Sequence, residues 1–529
     1  MQRRDFLKTA LFSTAFVSGV SGMGSRPSEQ SNADKAKPRR RPNILWIMFD
    51  DGRADALGCY GTKWANTPNI DRIAQNGVLF TTAIVQNPVC VPSRRSMKTG
   101  NYCHQSGPMA MGKAAQQTPA YMKGKDKGVW DREAILQSLG LVEQSGDSGI
   151  EDVPNLLDIW TRAQMKPINI GKIHGFHDQW DSLGDAEQLL DVFGKPTAFF
   201  KQKYPDAAER ILSSVRTKTY NWQIGGVLDV KPEDTTPWRL GDMAVKKIDQ
   251  LSKQEEPFFL RVSFHAPHVP CHVPKEFFVD PEKIELPLPD KTQLESKPEF
   301  EKNCLRKYAG SLDLTKEEID ISRGTYYGMA GLVDVQVGRI VKELEKTGLL
   351  DNTIIAVNSD QGFGLGEHGL WKKRAFYEDY VKSPLIINCP ERLPGGKRID
   401  EPVEMIDFLP TLLELSDLEI PDAIRGKSLV PLITGKVKKW RRACFCEIDH
   451  SSSMYNELRN GTGRRVMVRT KNYKLIFFMD ERVKDKDGAL YDLKNDPGEI
   501  RNLYNDSKYT HVIDELESYA YQWSKGEFF

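Results

Sequence analysis

Net charge is the first thing that this chain lacks. Its 74 Lys and Arg residues almost cancel 73 Asp and Glu residues, which leaves a formal charge of +1 over 529 residues. A nucleic-acid-binding protein needs a basic excess on one face, so the charge balance argues against that class of partner. It gives no reason for binding to a membrane surface either. The eight Cys residues have no paired spacing, so no disulfide framework is indicated.

Long apolar runs are also missing beyond the N-terminus. Residues 3–8, Arg-Arg-Asp-Phe-Leu-Lys, resemble a twin-arginine export motif, and a small, apolar run follows to about Ser21. That run is short for a membrane span, although an uncleaved membrane anchor is the alternative. We expect an export signal over residues 1–22, a disordered spacer over 23–41 and a periplasmic or extracellular protein without a membrane span after cleavage.

The remaining length predicts two domains, since one core seldom serves so many residues. From Asn43 onward, buried-strand runs alternate with amphipathic helices, which indicates an α/β domain with a mostly parallel sheet. We predict strands near residues 43–49, 257–264 and 353–358. Helices are predicted near 67–77, 329–348 and 408–415. The expected catalytic domain covers 42–437.

A smaller α+β domain is expected over residues 438–529. Residues 466–470 and 473–478 flank Lys471-Asn472 and predict an antiparallel hairpin. The stretch from Val512 to Trp523 predicts a closing amphipathic helix. Cys444 and Cys446 are too close for a zinc knuckle and predict one face of a strand.

Pairs of residues with side-chain oxygens follow two of the predicted buried strands. Asp50 and Asp51 follow the first, and Asp360 with Gln361 follows a later one. Acidic residues in a loop are usually solvated, but ligands collect at the carboxyl ends of parallel strands. Their oxygens suit Ca²⁺ or Mg²⁺.

The stretch Cys90-Val91-Pro92-Ser93-Arg94 is the most informative in the chain. Pro92 predicts the start of a helix, with Gly100 as its stop, and this places Cys90 at an anion-binding helix N-terminus. A lone Cys is more often a small buried hydrophobe. The alternative is chemistry on a sulfate or phosphate.

Three further elements carry basic residues. Lys172 and His174 follow Gly171, the sequence His-Ala-Pro-His ends at His268 after a predicted strand, and Gly-Glu-His-Gly-Leu-Trp-Lys-Lys ends at Lys373. A single His usually has a structural role, and a single Lys usually lies on the surface. We expect all four in the site because the motifs converge.

Taken together, these motifs resemble the signature of type I sulfatases from about Pro42 to about Leu503. The resemblance implies an alkaline-phosphatase-like fold, hydrolysis of a sulfate ester, and conversion of Cys90 to formylglycine by a formylglycine-generating or anaerobic sulfatase-maturating enzyme. It implies one divalent ion, usually Ca²⁺, and a sulfated saccharide substrate for an exported enzyme. Gln361 departs from the family's usual Asn or His. The implied catalytic residues are Cys90, Arg94, Lys172, His174, His268 and Lys373, and the implied metal ligands are Asp50, Asp51, Cys90, Asp360 and Gln361.

The resemblance also suggests roles. One hydroxyl of the formylglycine hydrate attacks sulfur with Asp360 as base, Lys172 and Lys373 neutralise the sulfuryl oxygens, and His268 protonates the departing alcohol. His174 then takes a proton from the second hydroxyl. Two alternatives stay open: a phosphonate or phosphate monoester hydrolase of the same superfamily, and a glycan-binding relative without catalysis.

Overall fold

The computed structural model describes residues 40–106, 156–165, 167–173, 181–218, 221–290, 297–304, 313–449, 464–479, 488–526 and 528. From Arg41 onward, the described residues belong to one compact unit. The expected export signal and nearly all of the expected spacer lie outside the described residues. No described helix is both long enough and apolar enough to cross a bilayer.

Strands and helices alternate along most of the chain. The strands are β1 (Asn43–Asp50), β2 (Val78–Ile84), β3 (Pro167–Gly171), β4 (Asp181–Ser182), β5 (Ile211–Arg216), β6 (Gln223–Leu228), β7 (Phe259–Pro267), β8 (Val273–Pro274), β9 (Thr353–Ser359), β10 (Gly364–Leu365), β11 (Trp371–Lys372), β12 (Lys382–Asn388), β13 (Lys397–Ile399), β14 (Val403–Glu404), β15 (Cys444–Asp449), β16 (Arg464–Arg469), β17 (Tyr473–Phe478) and β18 (Ala489–Asp492). The α-helices are α1 (Pro68–Asn76), α2 (Cys90–Thr99), α3 (Cys103–Ser106), α4 (Leu156–Arg162), α5 (Ala198–Lys203), α6 (Thr236–Leu251), α7 (Glu299–Cys304), α8 (Lys316–Lys346), α9 (Glu378–Val381), α10 (Phe408–Leu415), α11 (Val430–Ile433) and α12 (Thr510–Ser524).

The large sheet is mostly parallel, as the sequence predicts. Its order is β13-β2-β12-β9-β1-β7-β3-β4, with β14 beside β2. The four strands β9, β1, β7 and β3 run parallel to one another, whereas β12 is antiparallel to both of its neighbours. Since β9, β1, β7 and β3 are adjacent and parallel, their carboxyl ends meet at one edge of the sheet.

Helices cover both faces of this sheet. The central strand β1 is buried along its whole length and sends alternate side chains into two cores. Helix α10 packs in the first core, and α6 and α8 pack in the second. The first core receives Ile44, Trp46 and Met48, and the second receives Leu45, Ile47 and Phe49.

The C-terminal residues form a second, antiparallel sheet in the order β15-β16-β17-β18. One face, with Cys444 and Cys446, joins the first core of the large sheet, while the other face, with Phe445, packs against α12. The predicted hairpin, the closing helix and the shared strand face of the two Cys residues are confirmed. The boundary between residues 437 and 438 stays a prediction.

Trp523 anchors α12 on this sheet. Its ring is fully buried, stacks on Phe445 at 4.7 Å and meets the edge of Tyr102 at 5.1 Å. We expect Trp523→Ala to leave a cavity and to lower the free energy of unfolding by about 3–5 kcal/mol. Urea unfolding followed by circular dichroism measures the effect. The exposed neighbour Gln522 provides the matched control, since Gln522→Ala should change the free energy of unfolding by no more than about 0.5 kcal/mol. An equal loss of stability in both variants would contradict the role of Trp523 as the anchor of α12.

Helix α8 is longer than its apolar pattern predicts. The prediction covered the stretch near residues 329–348, but α8 begins at Lys316. Thr315 and Glu318 form a capping box there, in which each side chain accepts the other residue's backbone N–H. This cap, rather than apolar spacing, determines where the helix starts.

Candidate active site

The four adjacent strand ends deliver the polar residues that the sequence singled out. Asp50 ends β1 and Asp51 follows it, whereas Asp360 and Gln361 come directly after β9. Further along this edge, β7 leads to His268 and β3 leads to Lys172. All four of these adjacent strands thus bring polar or charged groups to one edge of the sheet, where ligands bind in α/β proteins.

Cys90 is the first residue of α2. The predicted start at Pro92 is wrong by two residues, because the chain is extended only up to Val89 (φ −143°, ψ 137°). Pro92 is the third helical residue, where an N–H would still lack a partner within the helix. Gly100 ends the helix in the left-handed region (φ 65°), as predicted. Cys90 is fully buried in the first turn, at the positive end of the helix dipole.

Arg94, one turn after Cys90, links two of the acids. Its Nε donates to Asp360 Oδ2 at 2.7 Å, and a terminal nitrogen lies 3.3 Å from Asp50 Oδ2. The other terminal nitrogen donates to Ser263 Oγ at 3.2 Å. Because Arg94 has no exposed surface, this buried guanidinium orients the two carboxylates with little solvent screening.

Two lysines complete the charge balance around Cys90. Lys373 Nζ donates to Asp51 Oδ1 at 3.0 Å and lies 3.8 Å from Cys90 Sγ. Lys172 Nζ forms an ion pair with Asp50 Oδ2. The structure therefore brings both predicted lysines to the acids, and it brings Lys373 to the thiol.

His268 approaches the same acids from the end of β7. Its Nδ1 donates to the carbonyl oxygen of Val269 at 2.6 Å, and its Nε2 lies 3.7 Å from Asp51 Oδ2. A carbonyl can only accept, so Nδ1 carries the proton of the neutral ring and Nε2 carries the lone pair. Burial, with Lys172 and Lys373 nearby, lowers the pKa of His268 well below its usual value.

The donor set fits a divalent metal ion. Ligand atoms of Asp50, Asp51 and His268 all lie within 4.8 Å of one another. Asp50 Oδ1 and Gln361 Oε1 are buried and accept no hydrogen bond from the described residues, while Gln361 Nε2 donates to Asp51 Oδ1. Buried oxygens without a donor are uncommon in proteins, and a hard cation would satisfy them.

The electrostatics separate the roles of the acids. Burial raises the pKa of Asp50, but the charges of Lys172 and Arg94 outweigh it and hold that pKa well below its usual range. Burial and the charge of Asp50 raise the pKa of Asp360 to about 6. Burial also raises the pKa of the Cys90 thiol, so at neutral pH this group is a neutral and weak nucleophile.

The other His residues considered for the site either lie away from the acidic cluster or fall outside the described residues. The predicted catalytic residue His174 lies outside the described residues. His265 pairs with Asp185 at a more exposed position than the buried acids. The side chain of His104 is 2% exposed and pairs with Glu447 of the C-terminal sheet.

Two supporting residues were missed by sequence reasoning. Arg261 is buried in the middle of β7, where its Nε donates to Asn169 Oδ1 at 2.8 Å and a terminal nitrogen donates to the backbone oxygen of Lys172 at 3.2 Å. It thereby fixes the turn that carries Lys172. A charged residue within the apolar run Phe-Leu-Arg-Val-Ser-Phe was the available signal.

Tyr326 of α8 holds Asp51 from behind. Its hydroxyl donates to the backbone oxygen of Asp51 at 2.7 Å and accepts the N–H of Arg53 at 2.9 Å. Asp51 lies in the left-handed region (φ 61°), which costs energy for a residue with a side chain. The sequence offered no signal for this contact, since 275 positions separate the partners.

Two protein-family models match this chain, and together they cover nearly all of the compact unit that begins at Arg41. The Sulfatase family model matches residues 42–418. A second model, described as N-sulphoglucosamine sulphohydrolase, C-terminal, matches residues 366–525. The first match alone spans more than half of the chain.

Individual relatives agree with this match. An arylsulfatase of Clostridium perfringens is 28% identical over 503 residues, with 90% of this chain and 93% of the relative covered. An N-acetylglucosamine-6-O-sulfatase of Bacteroides thetaiotaomicron is 26% identical, with 90% and 85% covered. Among solved structures, a phosphonate monoester hydrolase of Agrobacterium radiobacter has a TM-score of 0.70 at 24% identity, with 92% and 96% covered, and shows the likeness of fold.

The sheet and these neighbours therefore define the same mixed α/β fold as the phosphonate monoester hydrolases. The chain belongs to the sulfatase family and is a sulfuric ester hydrolase. For this family, the buried thiol and the acidic cluster imply a formylglycine and a divalent metal ion.

Proposed function

We propose that the protein hydrolyses a sulfate ester on a carbohydrate and that formylglycine formed from Cys90 carries the reaction. The observation that carries this proposal is the position of Cys90, buried in the first turn of α2 and 3.8 Å from Lys373 Nζ. The neutral thiol is a poor nucleophile by itself, which favours a modified residue. The carbohydrate class is supported by the similar N-acetylglucosamine-6-O-sulfatase.

The metal site of the proposal consists of Asp50, Asp51, Asp360 and Gln361, together with position 90. Four of these groups offer side-chain oxygens, which favours Ca²⁺, a cation that takes six to eight oxygen ligands. The ion would act as a Lewis acid toward a sulfuryl oxygen. Gln361 replaces the family's usual Asn or His, and its buried, unpaired Oε1 supports the same role.

Formylglycine supplies a hydrated aldehyde, with one hydroxyl to accept the sulfuryl group and a second to release it. Lys172 and Lys373 bind the sulfuryl oxygens and neutralise their growing charge. Asp360, with its pKa raised to about 6, can take a proton near neutral pH.

In the proposal, His268 donates the proton to the leaving alcohol. Its ring is oriented by the hydrogen bond from Nδ1 to Val269, so Nε2 faces Asp51 of the acidic cluster. In the proposal Nε2 carries the proton that passes to the departing oxygen, and His174 takes the proton from the second hydroxyl. The charge of a bound sulfate would favour the protonated ring against the effect of the two lysines.

The setting of this chemistry follows from the N-terminal pattern. We infer export by the signal at residues 1–22, a spacer at 23–41, a catalytic domain at 42–437 and a C-terminal domain at 438–529. Maturation requires a formylglycine-generating or an anaerobic sulfatase-maturating enzyme.

The proposal is tested on purified, active protein. Tryptic fragments spanning position 90 should contain formylglycine by mass spectrometry, and aryl sulfate should be turned over at least about tenfold faster than aryl phosphate or phenyl phosphonate ester. An intact thiol in fully active protein would contradict the modification. Faster turnover of the phosphorus esters would instead favour the phosphonate hydrolase alternative, which the structural neighbours keep open.

A further inference from the structure

Lys372, one residue before the active-site lysine, has an unusual environment. Its side chain is 4% exposed, and its Nζ lies 2.9 Å from the centroid of the Trp222 ring. No carboxylate among the described residues lies within ion-pair distance of that ammonium. Lys373, by contrast, donates to Asp51.

This arrangement costs stability rather than adding it. A cation–π contact contributes about 2 kcal/mol when desolvated, whereas burying an ammonium without a counterion costs several kcal/mol. Burial and the charge of Lys373 lower the pKa of Lys372 well below its usual value. Lys372 also lies in the left-handed region (φ 76°), which costs a side-chain-bearing residue about 1 kcal/mol or more. Such costs are typical of functional positions.

The ammonium is close to the reaction centre. Lys372 ends β11, and its charge acts on both Asp51 and His268. Trp222 directly precedes β6 in the connection from β5, where its backbone oxygen accepts the N–H of Thr217. This connection borders a polar cleft whose lining includes Arg216 and Lys218.

We propose that Lys372 and Trp222 form a subsite for a second anionic group of the substrate, a carboxylate or a further sulfate on the same saccharide. The anion supplies the charged partner that the described residues do not provide for the Lys372 ammonium, and the indole face packs against the sugar ring. This subsite rests on the proposed carbohydrate substrate. It makes Lys372 a specificity-determining residue.

The test compares substrates that differ only in their second charge. Lys372→Met removes the charge but keeps a flexible side chain that can contact the Trp222 ring. Three disaccharides are used: one with a single sulfate, one with two sulfates and one with a sulfate and a uronate. For the doubly anionic substrates we expect kcat/KM of the variant to fall by at least about tenfold, mainly through KM. The loss on the monosulfated disaccharide should be about threefold or less, and the two doubly anionic substrates distinguish the source of the charge.

Lys253→Met serves as the matched control. Lys253 is an exposed residue after α6, near the start of β7 and thus at the opposite edge of the sheet. The Lys253→Met substitution should leave kcat/KM unchanged for all three disaccharides. Equal losses of the Lys372 variant on all substrates, or no loss on any, would overturn the subsite.

A binding measurement separates this inference from the proposed function. Calorimetric titration of Cys90→Ala with the mono- and disulfated disaccharides should show tighter binding of the disulfated one by about tenfold, and addition of Lys372→Met should remove that preference. If the wild-type protein turns over no saccharide sulfate, the proposed substrate fails. The binding preference then still decides the subsite, and its absence would reject it.

Discussion

Cys90→Ala is expected to reduce sulfate-ester hydrolysis by at least about 10⁴-fold, because it removes the nucleophile while the acids, the lysines and His268 stay in place. The side chain is small and fully buried, so the fold should survive the loss of one sulfur atom. Single-turnover and steady-state assays with an aryl sulfate measure the loss. Calorimetry should show that the variant still binds a saccharide sulfate.

The control for this change is Cys59→Ala. Cys59 is half-buried near α1 and touches none of the catalytic groups, so its replacement should leave the rate within about twofold. If the Cys90 variant kept the wild-type rate, the nucleophile would be misassigned. If the wild-type protein bound glycans without turnover, the glycan-binding alternative would gain support.

Asp50→Asn should remove both activity and bound metal. The substitution keeps the shape of the side chain but removes the charge that faces Lys172 and Arg94, and an amide offers one oxygen in place of two. We expect a loss of at least about 10³-fold in kcat and a divalent-ion content that falls from one per chain to nearly none. Elemental analysis of dialysed protein measures the metal independently of activity.

Chelation of the wild-type protein should give the same loss reversibly. Binding of the ion to the folded state alone stabilises it by about 3 kcal/mol at a hundredfold excess over Kd, so the melting temperature should fall on chelation and return with Ca²⁺. Full recovery with Mg²⁺ but none with Ca²⁺ would reject the predicted ion. Asp334→Asn is the matched control, since Asp334 is buried but accepts hydrogen bonds from α1 far from Cys90 along the chain. Equal metal loss in that variant would indicate unfolding.

Much of this site was accessible to sequence reasoning for a simple reason. Strands buried on both faces are continuous apolar runs, so a polar pair directly after such a run stands out. Asp50-Asp51 and Asp360-Gln361 were identified in this way, and the parallel order β9-β1-β7 brings them together. The helix of Cys90 was also anticipated, with an error of two residues at its start.

Contacts between distant positions were not accessible. Nothing in the sequence relates Tyr326 to Asp51 or Arg261 to Asn169, since each pairing depends on which elements pack together. Lys372 is the clearest case. Two adjacent lysines look alike in sequence, yet the left-handed backbone of Lys372 turns one ammonium onto an indole ring while Lys373 reaches the thiol.

The sequence by itself determined the chemistry: a thiol in the first turn of a helix, pairs of oxygen-bearing side chains after buried strands, and the basic motifs that complete a sulfatase site. These are local patterns, and they can be recognised in the sequence because strands and helices have characteristic hydrophobic periods. Only the tertiary structure decided which charged side chains form ion pairs with one another. The ion pair between Arg94 and Asp360, for example, joins helix α2 to the end of β9, two elements far apart in the chain that meet only at this edge of the folded sheet.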